Sequence, residues 1–218
     1  MRKIFGHRGL PHIYEENTFK SLNKAQEICD FVETDVRITK DKELVLYHDE
    51  TVQSQKIERL TLSEINELID IKISEIHLFS REQIKGDTNF ELKISSKDDD
   101  LNKVFLEKII NLTNPEDIVS SFDWEIILNN RESFKSKYGI LIDKENQLFE
   151  SKAMSNLDEK LMFMVEKEIF YSRNFDLPLE RCVVWTVNDK GEINYTYTLK
   201  EGVSEQNIAL EMLQKTED

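Results

Sequence analysis

Four short clusters carry the side chains able to do chemistry. Gly6-His7-Arg8-Gly9 sets an imidazole and a guanidinium between two glycines, and Tyr47-His48-Asp49 sets a second imidazole beside a carboxylate. Glu33-Thr34-Asp35 places two carboxylates two residues apart, and Phe90-Glu91-Leu92-Lys93 does the same with a carboxylate and an ammonium. Successive side chains of a strand point to opposite faces, so on strands Glu33 and Asp35 share a face, as do Glu91 and Lys93. Two like charges on one buried face repel unless a proton or a cation joins them. Glu91 as a third carboxylate favours a cation, and three hard oxygen donors suit Mg²⁺ or Ca²⁺ better than zinc. An acidic pair on a solvent-facing edge strand would need no such partner. The glycine-flanked His7-Arg8 before the pair and His48 after it point to a site instead. Histidine is the side chain best able to give and take protons near neutral pH. Arg8 and Lys93 are fit to clamp an anion. His12 and His77 lack comparable neighbours and are assigned no role.

These residues need elements to hold them. Ile4 to Gly6 reads as a short strand ending at the first cluster. Asn17 to Cys29 carries apolar or small residues at Phe19, Leu22, Ala25 and Ile28, one helical stripe. Phe31 to Ile38 alternates as a strand, Thr39 to Lys42 is a turn, and Leu44 to Tyr47 returns as a hairpin arm. Thr61 with Glu64 forms a capping box for a helix running to Ile69. Beyond it, strands at Asn89–Ile94, Ile118–Phe122, Tyr138–Ile142, Leu161–Val165 and Cys182–Val187 are expected. Helices are expected at about Leu101–Leu112, up to about Phe134, and around Glu192–Leu199. Repeated βα units give a parallel sheet, and eight of them close a barrel. Seven barrel strands can be counted once Leu44–Tyr47 is set aside as an arm. The expected fold is therefore α/β, a TIM (β/α)8 barrel with an irregular or incomplete eighth strand, in one domain over residues 1–218.

Composition narrows the function. Hydrophobic residues make up 39% and charged residues 33% of 218, a globular balance with no apolar run long enough for a membrane span. With 29 basic and 43 acidic residues the formal charge is −14, which repels nucleic acid and anionic headgroups, so an anionic substrate must be small and held by local cations. Cys29 and Cys182 have no partner motif and read as buried free thiols, which fits a reducing compartment. Only Met1 to Lys3 precede the first strand, and the expected location is cytoplasmic.

In order and spacing, several segments resemble the signature of the glycerophosphodiester phosphodiesterases. They are Gly6-His7-Arg8-Gly9, Glu16-Asn17-Thr18, Glu33-Thr34-Asp35-Val36, Thr39-Lys40-Asp41 and Leu44 through Asp49. Glu91-Leu92-Lys93, Ser120 through Asp123 and Trp185 through Asn188 continue the match. The resemblance implies a TIM barrel that hydrolyses a small glycerophosphodiester to glycerol phosphate and an alcohol. It implies His7 and His48 as the acid–base pair, and Glu33, Asp35 and Glu91 as ligands of one divalent cation. It also implies Arg8 and Lys93 on the phosphate, and Trp185 on the glycerol side. The attacking oxygen is either water or the substrate's neighbouring hydroxyl, the latter passing through a cyclic phosphate. Three departures stand out: Glu15 replaces the usual proline before Glu-Asn-Thr, the segment between His48 and Glu91 is short for the family's inserted subdomain, and residues from Ser204 to Met212 read as a capped helix where a last strand is usual. Two other readings use the same residues. One is a lysophospholipase D-type enzyme, which needs an apolar loop near the mouth, for which Leu78-Phe79 is a candidate. The other is a catalytically decayed barrel acting as a binding module.

Overall fold

The computed structural model describes residues 3–94 and 98–185, together with the backbone of 195–198. In chain order the elements are β1 (Lys3–His7), α1 (Phe19–Ala25), β2 (Phe31–Ile38), β3 (Leu44–Leu46), β4 (Thr51–Val52), β5 (Gln55–Lys56), α2 (Leu62–Leu68), β6 (His77–Leu78) and β7 (Asp87–Leu92). They continue as α3 (Asp99–Leu112), β8 (Ile118–Ser121), α4 (Trp124–Asn129), β9 (Lys137–Ile142), α5 (Gln147–Met154), β10 (Leu161–Glu166), α6 (Lys167–Phe170), β11 (Cys182–Trp185) and β12 (Tyr195–Thr198). Strands β1, β2, β7, β8, β9, β10 and β11 pair in that order, each parallel to the next, as the βα pattern requires. Strand β12 lies between β11 and β1, antiparallel to both, and completes the ring of pairings. The fold is TIM-barrel-like with one reversed strand.

That strand corrects one expectation. A helix was expected around Glu192–Leu199, but Tyr195-Thr196-Tyr197-Thr198 is a strand. Aromatic and β-branched residues suit a pleated surface, and the backbone of β1 and β11 offers unpaired groups on both sides of the gap. Pairing on both edges decides for a strand. The expected helix from Ser204 to Met212 and the Thr186–Asn188 part of the late motif lie outside the described residues.

Alternation along the strands builds two layers of core. Phe5, Phe31, Ile118, Leu141, Met162, Met164 and Val183 point to one side and fill the barrel, with Phe5 and Phe31 stacked at 4.7 Å. Their neighbours Val32, Val36, Phe90, Val119, Ile140, Phe163 and Val184 point the other way, into the helical layer. Burying each such side chain stabilises by about 1.5–3 kcal/mol. At the foot of β7 and β8 the buried Asp117 accepts from Arg81 Nε at 2.8 Å and from the Thr88 and Asn114 amides. Arg81 also donates to the Ile84 carbonyl at 2.6 Å. This network ties the strand entrances together, far from the end where the chemistry clusters.

The expected hairpin is present, with β3 antiparallel to β2 and β6 antiparallel to β3. Residues 51–84 form a small insertion whose Val52, Ile57, Leu60 and Ile65 share a core with Val45 of β3. The Thr61–Glu64 capping box is formed and starts α2. No helix among the described residues is long and apolar enough to cross a membrane.

Candidate active site

Register brings the separate clusters together. On the barrel side of the sheet His7 is level with Glu33, and Asp35 is level with Glu91. His7 ends β1 and Glu91 is next to last in β7, so the cluster lies at the C-terminal ends of those two strands, where barrel enzymes place their chemistry, with Glu33 and Asp35 level with them partway along β2. The glycines around His7-Arg8 permit this. A Cβ on Gly6 would come 2.9 Å from Ala25 Cβ, so a larger residue would push α1 off β1. Gly9 has φ +88°, and a Cβ there would lie 2.6 Å from the Ser21 backbone. Arg8 takes φ 54° between them. Its amide donates to Glu33 Oε2 at 3.1 Å and its Nη1 to Glu16 Oε1 at 3.0 Å.

Glu33, Asp35 and Glu91 are buried, and each offers a carboxylate oxygen within 4.8 Å of the others'. Glu33 Oε1 accepts no hydrogen bond from the protein. Asp35 Oδ1 is likewise without one, although Lys93 Nζ lies 3.1 Å away in an ion pair. The Lys93 ammonium also contacts Glu91 Oε1. Arg8 Nε approaches Asp35 Oδ2 to 3.1 Å. Two buried carboxylate oxygens without donors, in a set of three hard donors, fit a divalent cation. The triad could hold one.

The electrostatics follow from burial and neighbours. Burial, then Asp35 and Glu91, push the Glu33 carboxyl well above the usual range. Burial also pushes Asp35 up, but Lys93 and Arg8 outweigh it and hold Asp35 below its ordinary value. Burial raises Glu91 against the opposing pull of Lys93. Burial, then the Arg8 guanidinium, lower His7 to about 4, so its imidazole is neutral at pH 7. Its Nε2 lies 3.7 Å from Glu33 Oε2.

His48 sits on the rim, its Nδ1 2.8 Å from Asp49 Oδ1. It is fixed from below by Arg37, on the same face of β2 as Glu33 and Asp35. Arg37 Nε and Nη2 donate to the His48 carbonyl at 3.1 and 2.6 Å. Trp185 ends β11, its Nε1 donating to the Met164 carbonyl at 3.3 Å. Its body packs on the barrel core, so it serves packing and faces the mouth at once. Of the eight residues singled out in the sequence, Glu33, Asp35 and Glu91 form the triad, His7, Arg8 and Lys93 touch it, and His48 and Trp185 stand at its margin. His77 Nε2 lies 2.8 Å from Glu43 Oε2 on the flank, and His12 is exposed.

Two residues were not singled out. Phe122 follows β8 and meets Trp185 edge-on, ring centroids 6.3 Å apart, with Lys93 Nζ 5.8 Å from its ring. Asn17 is buried, and its side-chain amide donates to Asp35 Oδ2 at 2.9 Å. Both lie inside quoted motifs, but neither has a titratable group to draw notice.

Fold and site together define a barrel hydrolase that acts on a phosphate ester. The model of the glycerophosphoryl diester phosphodiesterase family matches residues 7–211, and the chain belongs to that family. It is a phosphoric diester hydrolase. A glycerophosphodiester phosphodiesterase of known structure from Thermotoga maritima is 28% identical, with a TM-score of 0.64 over 85% of each chain. A glycerophosphodiester phosphodiesterase of Caldanaerobacter subterraneus is 34% identical over 109 residues, 43% of this chain and 44% of that one. An Oleispira antarctica phosphodiesterase, solved with the product sn-glycerol-3-phosphate, shares the fold at a TM-score of 0.64 and 16% identity, covering 97% of this chain and 88% of that one.

Proposed function

We propose that this chain hydrolyses small glycerophosphodiesters to glycerol phosphate and an alcohol, using one divalent cation, Mg²⁺ or Ca²⁺, held by Glu33, Asp35 and Glu91. The observation that carries this reading is the convergence of three buried carboxylates, two of them with an oxygen that accepts no hydrogen bond, beside a neutral histidine. When bound, the ion would polarise a phosphoryl oxygen and offset the charge that grows in the transition state.

The protein's own groups supply the rest. Arg8 and Lys93 bring two cations to the phosphate in an otherwise acidic molecule. His7 is uncharged at neutral pH and takes the proton of the attacking oxygen, whether that oxygen belongs to water or to the substrate's neighbouring hydroxyl. His48, on the rim and half open to solvent, protonates the departing alkoxide and recovers its proton from water. Trp185 walls the glycerol side. A lipid alternative has a specific observation in its favour: Ile13, between β1 and α1, and Tyr171, just after α6, are large exposed side chains. Phe79, the apolar candidate from the sequence, instead borders a groove against α3 with Val104 and Leu112, on the flank.

Chelation tests the reading. Activity on glycerophosphocholine should disappear after exhaustive chelation and return with Mg²⁺ or Ca²⁺. Full activity in the chelated protein would end the metal assignment.

A further inference from the structure

We infer that Asn17 is a positioning residue that sets Asp35 for the cation and Arg8 for the phosphate. The inference rests on the metal reading above and adds a residue to it.

Asn17 is almost wholly buried, at 2% exposure, yet it is polar and sits in no helix or strand. Its backbone has φ 54°, a left-handed conformation that costs an ordinary side chain about 1 kcal/mol and that Asn tolerates better than most. Strain of this kind persists where the surroundings hold it. All of the side chain's polar atoms are engaged around one carboxylate. Nδ2 donates to Asp35 Oδ2 at 2.9 Å, and Oδ1 accepts from the Asp35 amide at 3.1 Å and from Thr34 Oγ1 at 2.8 Å. The Thr34 hydroxyl and the Asp35 amide fix which end of the Asn17 amide faces the carboxylate, since both are donors and both must meet the oxygen. Asn17 therefore holds one Asp35 oxygen by a bond and leaves Oδ1 as the oxygen with no hydrogen bond.

The backbone carries the second half of the link. The Asn17 amide donates to the Arg8 carbonyl at 3.1 Å, and Ser21 Oγ donates to the same carbonyl at 3.3 Å. Arg8 is itself at φ 54°. Two left-handed residues thus brace one another across the turn that carries the phosphate-facing guanidinium. The next residue, Thr18, caps α1 through Ser21, so the helix anchors the brace. Partners that orient a ligating carboxylate are worth about 10- to 100-fold in metal affinity.

The test is calorimetric binding of Mg²⁺ and Ca²⁺ to the chelated full-length protein, with thermal melts beside it. Asn17→Gly frees the backbone conformation and removes the side chain. It should fold, weaken the ion about 10- to 100-fold, and recover kcat when the ion is raised to saturation. Thr34→Val is nearly isosteric and removes one of the two donors that orient the amide. It should weaken the ion in the same direction by less, and it provides the answer if Asn17→Gly does not fold. Folded variants that bind the ion as tightly as wild type would overturn the inference while leaving the metal reading intact. A wild type that binds neither ion would overturn the metal reading, and the inference with it.

Discussion

Lys93 holds its ammonium 3.1 Å from Asp35 Oδ1 and in contact with Glu91, so a covalently tethered cation already sits among the three carboxylates. It offsets part of their mutual repulsion. Asp35 and Glu91 in turn hold Lys93 above its ordinary pKa, although burial opposes them. Removing one partner of a buried charge pair leaves the other uncompensated, at about 3–5 kcal/mol. Lys93→Met should therefore lower the melting temperature of the chelated protein by several degrees. Added divalent ion should raise it more than it raises wild type, because the ion then supplies the charge that Lys93 supplied. Equal melts for the two chelated proteins would contradict the pairing.

Glu33 gives the opposite sign. Its folded carboxyl titrates well above the ordinary value of 4.5, so between 4.5 and the raised value the folded state holds a proton that the unfolded state has released. The folded state then binds more protons, and stability falls as pH rises through that window. Glu33→Gln removes the penalty and keeps an oxygen for the Arg8 amide. The chelated variant should match wild type at pH 4 and melt above it at pH 7, with about 2–4 °C per kcal/mol for a chain of this size. With saturating ion the order should reverse, since a ligand has been lost. A chelated Glu33→Gln that melts below wild type at pH 7 would count against a repulsive cluster.

Much of this site was legible before any coordinates. Strands betray themselves by alternation, and a same-face reading of Glu33 with Asp35 and of Glu91 with Lys93 follows from the period alone. The register that sets His7 beside Glu33 and Asp35 beside Glu91 is a property of neighbouring strands and is invisible in any one of them. Asn17 and Phe122 act through geometry, one by bonding to a charged group and one by standing beside another ring, so type and spacing could not raise them. Strand β12 was hidden because four alternating residues of Tyr and Thr are too few to set against the helix that a βα repeat leads one to expect there. Helix α5 leaves Phe149 exposed and α6 is a single turn, so neither shows the apolar face by which helices are found. The two-residue strands β4, β5 and β6 fall below any periodicity.

The histidines differ in setting, and the difference is testable. His7 is partly buried beside Glu33 and neutral, while His48 is at the rim with Asp49. Removing a general acid or base typically lowers turnover by about 10²- to 10⁴-fold. His7→Ala and His48→Ala should each lower kcat by ~10²-fold or more, with circular dichroism unchanged. An activated substrate whose leaving group needs no proton should recover much of the loss in His48→Ala and little of it in His7→Ala. Equal recovery in both variants would reverse or dissolve the assignment of roles, and near-wild-type turnover in either would remove that histidine from the mechanism.

If Trp185 walls the glycerol side, as proposed, substrate size is decided at the corner that it makes with Phe122. The rings meet at 86° with 6.3 Å between centroids, and Lys93 Nζ lies 5.8 Å from the Phe122 ring, so an apolar wall stands directly beside the Lys93 ammonium. A three-carbon glycerol unit fits such a wall, and a long acyl chain would have to leave it across a surface of formal charge −14. Glycerophosphocholine and glycerophosphoethanolamine should accordingly have higher kcat/KM than lysophospholipids. Phe122→Ala and Trp185→Ala should each raise KM for the small substrates more than they lower kcat, because a wall contributes binding that substrate and transition state share. Trp185→Ala should also lower the melting temperature, since its ring packs on the barrel core, whereas the half-exposed Phe122 should cost little stability. A ten-fold preference for a lysophospholipid, about 1.4 kcal/mol of transition-state binding, would favour the lipid reading. Ile13 and Tyr171 would then be the residues to replace next, since an enzyme that takes a lipid needs an apolar path over its surface and those two large side chains are exposed.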